Sequence, residues 1–365
     1  MAMNDAALHF SRSYGQARAK FLAAAEGAGL DVESHAHPLL GRDGEALAMD
    51  VALQGARDAK ALLILSSGCH GIEGYCGSGV QHALLGDAAW QRALQASGVA
   101  VLYIHALNPW GFSWWRRTTQ ENVDLNRNFH DFSQPLPANP GYDAIASLLV
   151  PPSWPPSAEV DAALQRHVAA HGLRALQQAA TSGQHDHPEG IFYGGRNPTW
   201  SHVTLRHVLQ AHGRQCARLG WIDFHTGLGP SGVGERIFAC RDDAAALVRA
   251  KAWWGERITS IYDGSSTSAL LTGLMWTVAY EECAQAEYTG IALEYGTVPV
   301  MEVLDALRAD QWLENHPEAG AAQREAIKQR MLAVFYTDTE AWKQAVLAQG
   351  IEAATQAVAG LARGG

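Results

Sequence analysis

The sequence predicts an α/β fold, a three-layer α/β/α sandwich around a mixed, mostly parallel central sheet. Three observations lead there. AKALLILSSG (residues 59–68) and VAVLYIHAL (residues 99–107) are short uninterrupted apolar runs, the pattern of strands buried on both faces. Residues 74–97 between them carry helical periodicity, which gives the strand–helix–strand order of a sheet covered by helices. GWIDFH (residues 220–225) and GIALEYG (residues 290–296) repeat the buried-strand pattern farther along.

The remaining elements follow in order. Residues 10–28 place apolar and small residues at helical spacing and stop at Gly27 and Gly29, so a helix opens the fold. Leu47 to Leu53 alternates like a strand. Residues 133–158 hold seven of the 14 prolines, including Pro151-Pro152 and Pro155-Pro156, and read as an irregular excursion before a helix near 158–181. From about Glu318 to Ala362 the chain is rich in Ala and Gln and lacks Pro, which predicts two closing helices. The expected organisation is one hydrolase domain over residues 1–365, with an irregular Pro-rich insertion at about 133–195 and a helical tail at about 318–362. No internal repeat is present.

Composition excludes several classes. With 365 residues, 47% hydrophobic and 18% charged, the chain has ample material for a core. A formal charge of −10 and the lack of any basic run argue against a nucleic-acid partner. Five cysteines, an odd number without a CxxC pair, do not make a disulfide scaffold. The start of the chain, with Asn4, Asp5 and His9, lacks a charged region followed by an apolar one. No run approaches the roughly 18 apolar residues of a membrane span. The cytoplasm is the expected location, with no membrane partner.

Four motifs carry chemistry. His70-Gly71-Ile72-Glu73 follows the strand ending near Ser66, where flanking glycines let the backbone turn tightly. Zinc takes both imidazole and carboxylate, and a catalytic site needs three protein ligands and an open position. Read alone, the pair is equally well a polar loop. His225, at the end of an apolar strand in Asp223-Phe224-His225-Thr226-Gly227, is either a third ligand or a satisfied core histidine. Asp223 is placed to orient a neighbour, since metal-bound imidazoles usually donate their other N–H to a carboxylate or carbonyl. Glu294, ending the apolar strand Ala292-Leu293-Glu294, is costly to bury without a task or a partner, and is either a general base or half of a salt bridge. Arg116, Arg117 and Arg127 fall within a run of Asn, Pro and aromatic residues, and arginine forks suit carboxylates and developing oxyanions.

Together, HGIEG, NPWG, WRRT, DLNRNF, His225 and Glu294 occur in the order found in the zinc carboxypeptidase superfamily, and residues 60 to 300 resemble it. The DFHTGLG and LEYGT segments look most like a little-characterised bacterial branch, and are similar to succinylglutamate desuccinylase and aspartoacylase relatives. The resemblance implies a carboxypeptidase-like fold and one Zn²⁺ per chain held by His70, Glu73 and His225. It implies that Arg116 stabilises the oxyanion, Asn126 and Arg127 grip a terminal carboxylate, Asp124 orients His70, and Glu294 is the general base. The activity implied is hydrolysis of an amide bond adjacent to a free carboxylate, on a small peptide or an N-acyl amino acid. The alternatives are a deacylase of N-acyl amino acids and a non-catalytic zinc- or ligand-binding relative.

The sequence departs from digestive carboxypeptidases in offering no tyrosine at the expected distance before Glu294; Tyr262, Tyr280 and Tyr288 are the candidates. Gln184-His185-Asp186-His187-Pro188-Glu189 reads as a polar loop sooner than a second metal site. Ile191–Arg196 is an active-site wall or an ordinary turn. Gly227–Gly232 satisfies GxGxxG, but that fingerprint must open a helix, and Val233–Cys240 reads as extended. Trp253-Trp254 and Cys69 read as packing residues.

Overall fold

The computed structural model describes residues 6–363; Asn4 and Asp5 lie outside them. Seven strands form one sheet: β1 Val32–Leu40, β2 Ala46–Gln54, β3 Ala61–Ser67, β4 Ala100–His105, β5 Arg218–Ser231, β6 Gly234–Phe238 and β7 Glu287–Gly296. Their order is β1-β2-β4-β3-β5-β7-β6. The central four, β4, β3, β5 and β7, run parallel, and antiparallel β2 and β6 flank them. Every residue of β3 and β4 is buried, which is why both read as unbroken apolar runs. Helices cover both faces, and the carboxypeptidase-like α/β architecture expected from the sequence is the one observed.

Several elements differ from the expectation for local reasons. β1 was not foreseen, because VESHAHPLL is mostly exposed and contains Pro38, a residue that a sheet tolerates at an edge. The helix expected over 74–97 is two, Gly74–Gly86 and Ala88–Ser97, because the Asp87 side chain caps the second by accepting from Ala89 N and Trp90 N. The helix at 158–181 likewise breaks at Gly172 into Ala158–His171 and Leu173–Thr181. Helices Trp200–His212, Ala244–Trp254 and Val300–Asn315 were also missed. The tail forms Ala321–Phe335 and Glu340–Arg363. Gly227–Gly232 lies where β5 ends and turns into β6, and opens no helix. Among the described residues no helix is long and apolar enough to cross a membrane.

This topology dictates where a site can form. From β3 the chain crosses to β4 on one side, then returns to β5 on the other, so the carboxyl ends of β3 and β5 border the crevice where strand order reverses. The turn after β3 is held there by its neighbours. Gly71 has φ +25°, and a Cβ at that position would collide with the Arg116 carbonyl and the Gly111 backbone. Ile72 N donates to the same Arg116 carbonyl at 2.9 Å. Gly71→Ala is therefore expected to lower the unfolding free energy by at least about 2 kcal/mol. In the same urea titration Gly98→Ala, left-handed at φ +68° but with open space around it, is expected to cost about 1 kcal/mol or less.

Candidate active site

His70 and Glu73 stand on the turn after β3, and His225, midway along β5, faces Glu294, near the end of β7, in register. Because side chains alternate along a strand, Trp221, Asp223 and His225 share one face of β5, beside Gly290, Ala292 and Glu294 on β7. His70, Glu73, His225 and Asp124 are all buried, and Glu294 is 9% exposed.

Each imidazole is backed by an aspartate. His225 Nε2 lies 2.6 Å from Asp223 Oδ2, and its Nδ1 lies 3.3 Å from Glu73 Oε2. Ser66 Oγ donates to Asp223 Oδ1 at 2.6 Å and so fixes that carboxylate. His70 Nδ1 is 3.3 Å from Asp124 Oδ1 with no hydrogen bond made, and the rings of His70 and His225 are 5.0 Å apart between centroids. Backbone amides hold the two glutamates: Thr226 N donates to Glu73 Oε2 at 3.0 Å, and Leu228 N to Glu294 Oε1 at 2.9 Å.

The arginine at this cluster is Arg117, which corrects the expectation for Arg116. Arg117 donates to Asp124 Oδ2 and Glu73 Oε1, both at 2.9 Å, and to His70 Nε2 at 2.8 Å. Arg116 is buried elsewhere, donating through Nε to Asp310 at 2.9 Å and through Nη2 to Gln311 and Asn122. Trp115, just before them, has φ +53°. Adjacent arginines in WRRT give no signal that separates them; their partners in space do.

Asn126 and Arg127 both line the cavity that opens from the cluster. Asn126 Oδ1 accepts from Met275 N at 2.8 Å, and Arg127 donates to the Thr181 and Asn126 carbonyls, each at 2.8 Å. The Phe192 ring lies 5.2 Å from the Arg117 guanidinium carbon and 5.7 Å from that of Arg127, a cation–π wall that spans both. The candidate tyrosines divide. Tyr262 donates to the Cys240 carbonyl, Tyr280 accepts from Arg241 N, and Tyr288 lines the cavity. In the 184–190 loop, His185 Nδ1 bonds to the Gly195 carbonyl while His187 turns to Asp143, so its ligand-type side chains diverge.

Burial and neighbours tune these groups. Burial, with Glu73 nearby, raises the Glu294 carboxyl to about 7. Burial also acts against the charged forms of Glu73 and Asp124, yet His70, His225 and Arg117 outweigh it at Glu73, and Arg117 and His70 at Asp124, leaving both below the ordinary carboxylate range. His70 is lowered by burial and by Arg117, whereas at His225 the Asp223 and Glu73 carboxylates overcome burial and raise it. Burial lowers Arg127 to about 10.

The donor set suits a divalent cation. Four buried carboxylates, Glu73, Asp124, Asp223 and Glu294, are gathered with two cavity-lining guanidinium groups, Arg117 and Arg127, and the imidazoles of His70 and His225, the oxygen and nitrogen donor types that zinc takes. Each imidazole has one nitrogen against an aspartate and the other towards Glu73 or the guanidinium bonded to it. As the side chains stand, the Arg117 fork fills the space between His70 and Glu73, and among the described residues no three His, Cys, Asp or Glu side chains form a set ready to hold an ion.

Comparison with known proteins fits the architecture. Bovine thrombin-activatable fibrinolysis inhibitor, solved in complex with tick carboxypeptidase inhibitor, is 11% identical with a TM-score of 0.51, covering 97% of this chain and 98% of its own. The carboxypeptidase A of Helicoverpa armigera is 13% identical, covers 90% of this chain and 75% of its own, and has a TM-score of 0.46. The metallo-carboxypeptidase of Burkholderia cenocepacia is 13% identical, covers 90% and 70%, and has a TM-score of 0.41. At 11% identity the likeness to the first of these is one of fold. No curated protein matches the sequence. Residues 10–349 match the family described as "Protein of unknown function (DUF2817)", and this chain, built on a carboxypeptidase A-like fold, belongs to that family.

Proposed function

We propose that the protein is a zinc-dependent hydrolase that cleaves an amide bond next to a free carboxylate. The observation that carries this reading is the pairing of Glu294 with His225 across β5 and β7. There a carboxyl raised to about 7 sits over a buried His70–Glu73–His225 set, at the mouth of a cavity lined by two arginines. A carboxyl near neutrality is suited to take a proton and return it.

His70, Glu73 and His225 would hold the ion, with Asp124 and Asp223 fixing the imidazoles. Bound there, zinc would supply Lewis acidity. Glu294 takes the proton of the attacking water and delivers it to the leaving nitrogen. Arg117, anchored through Nε on Asp124, steadies the developing oxyanion with its remaining N–H groups. Asn126 and Arg127 bind the substrate's carboxylate, which selects substrates ending in a free acid. A deacylase of N-acyl amino acids would use the same residues, so a substrate panel decides between the two.

Five results are expected. Mass spectrometry should find one zinc per chain in the wild type and loss of it in His70→Ala, with cleavage confined to peptides or N-acyl amino acids bearing a free carboxylate. No zinc, or equal cleavage of amidated peptides, would overturn the reading. Glu294→Gln should keep zinc and lose at least about a thousandfold in kcat. Since the base must be ionised, wild-type kcat/KM should fall with acidification. The limb should lie at or below about pH 7, because a nearby cation favours the carboxylate. Arg117→Lys, which keeps a cation for Asp124 and Glu73 without the fork, should lower kcat by about tenfold or more with the fold intact. Arg116→Met, which strips Asp310 of a buried partner, should instead cost about 3 kcal/mol of stability in urea with zinc binding retained.

A further inference from the structure

A chain of buried hydrogen bonds runs from the sheet into His225. The parallel register of β3 and β5 sets Ser66 opposite Asp223, with Trp221 two residues before it on the same face. Trp221 Nε1 donates to Ser66 Oγ at 2.7 Å, and Ser66 Oγ donates to Asp223 Oδ1 at 2.6 Å. Asp223 Oδ2 then lies 2.6 Å from His225 Nε2. Ser66 and Trp221 are buried, so neither can exchange these partners for water.

The chemistry of its first member gives this chain a direction. An indole N–H donates and never accepts, so the Ser66 oxygen receives the proton of Trp221. Of the two partners of Ser66 Oγ among the described residues, only Asp223 can accept the hydroxyl proton. Turned anywhere else, that proton would be a buried donor without an acceptor, which is costly. Asp223 is thereby held from behind at Oδ1, and its ionised form accepts at Oδ2 the proton of His225 Nε2. The other ring nitrogen, His225 Nδ1, faces Glu73, 3.3 Å from Oε2.

We infer that Trp221 and Ser66 are positioning residues: acting through Asp223 they keep a proton on His225 Nε2, so that Nδ1 is the nitrogen offered to a divalent ion beside Glu73. The inference rests on the hydrolase reading for the presence of that ion, but the placement of the proton belongs to the chain itself. Neither residue touches substrate or ion in this arrangement. Removing the Ser66 hydroxyl frees Asp223 to turn and leaves His225 without a fixed partner, and loss of such outer support typically weakens metal binding by about tenfold or more.

The test compares wild type with Ser66→Ala and with Trp221→Phe, which keeps an aromatic ring and removes the N–H. Zinc affinity is measured by competition with a chromogenic chelator. The His225 ring is followed by long-range proton–nitrogen NMR with and without zinc, its signals assigned by their absence in His225→Gln. The wild type should show a proton on Nε2 that exchanges slowly with water, and zinc should shift the Nδ1 resonance. Ser66→Ala should weaken zinc binding by about tenfold or more and let the Nε2 proton exchange freely; Trp221→Phe should move both readouts in the same direction. Zinc found on Nε2, or a Ser66→Ala protein with unchanged zinc affinity, overturns the assignment. So does weaker zinc binding with an unmoved His225 proton, which is the mark of a packing defect. If the wild type binds no zinc, the hydrolase reading fails and the His225 proton alone decides: protected in wild type and lost in Ser66→Ala, the positioning role stands; alike in both, it falls.

Discussion

The burial of four carboxylates, Glu73, Asp124, Asp223 and Glu294, around one site beside β3, β5 and β7 is the constraint on which the rest of this structure depends. Glu73, Asp124, Asp223 and Glu294 are each removed from water, where an ionised carboxylate is costly unless paired. The protein meets that cost with dense pairing: Arg117 with Asp124 and Glu73, His225 with Asp223 and Glu73, and backbone amides on Glu73 and Glu294. Glu294 lacks an arginine among its contacts, which is why burial raises it to about 7 while burial at Glu73 and Asp124 is overcome. The donor types gathered in this way suit zinc, and that match links the fold to the proposed chemistry.

The two adjacent arginines show how one segment divides structural from site duties. Through Arg116 the segment after Asn108 reaches the helix Val300–Asn315, where Lys328 also meets Asp310 at 2.7 Å. Through Arg117 the same segment reaches the sheet and the imidazoles. The carbonyl of Arg116 meanwhile supports the His70 turn through Ile72 N. The site is thereby tied to three parts of the chain, the 70–73 turn, the 108–128 segment and the late helices, none of which holds it alone.

The cavity follows from register as much as from composition. Ala292 is the small cavity-lining residue on the β7 face that carries Glu294, whereas the space over Gly290 is taken by the Tyr288 side chain. The walls come from β6, from the segment 258–277 between β6 and β7, and from the helix Val300–Asn315.

By itself the sequence determined the parallel core strands, because burial on both faces demands continuous apolar runs that no loop would carry, as in Ala61–Ser67 and Ala100–His105. It also determined that His70 and Glu73 follow a buried strand and that Glu294 stands near the end of another, since each follows or closes such a run, whereas β5 continues past His225 to Ser231. Asp223 was legible as an orienting group from its place two residues before His225. What only the tertiary structure decided depends on contacts between distant segments or on backbone dihedrals. Partners far along the chain, Asp310 and Gln311 for Arg116 and Glu73 for Arg117, separate the two arginines, and caps and breaks at Asp87 and Gly172 divide helices whose periodicity runs on through them. Hydrophobic pattern records what a residue is next to along the chain and whether it faces water; which arginine turns inward is set by packing across the chain, and leaves no periodic trace.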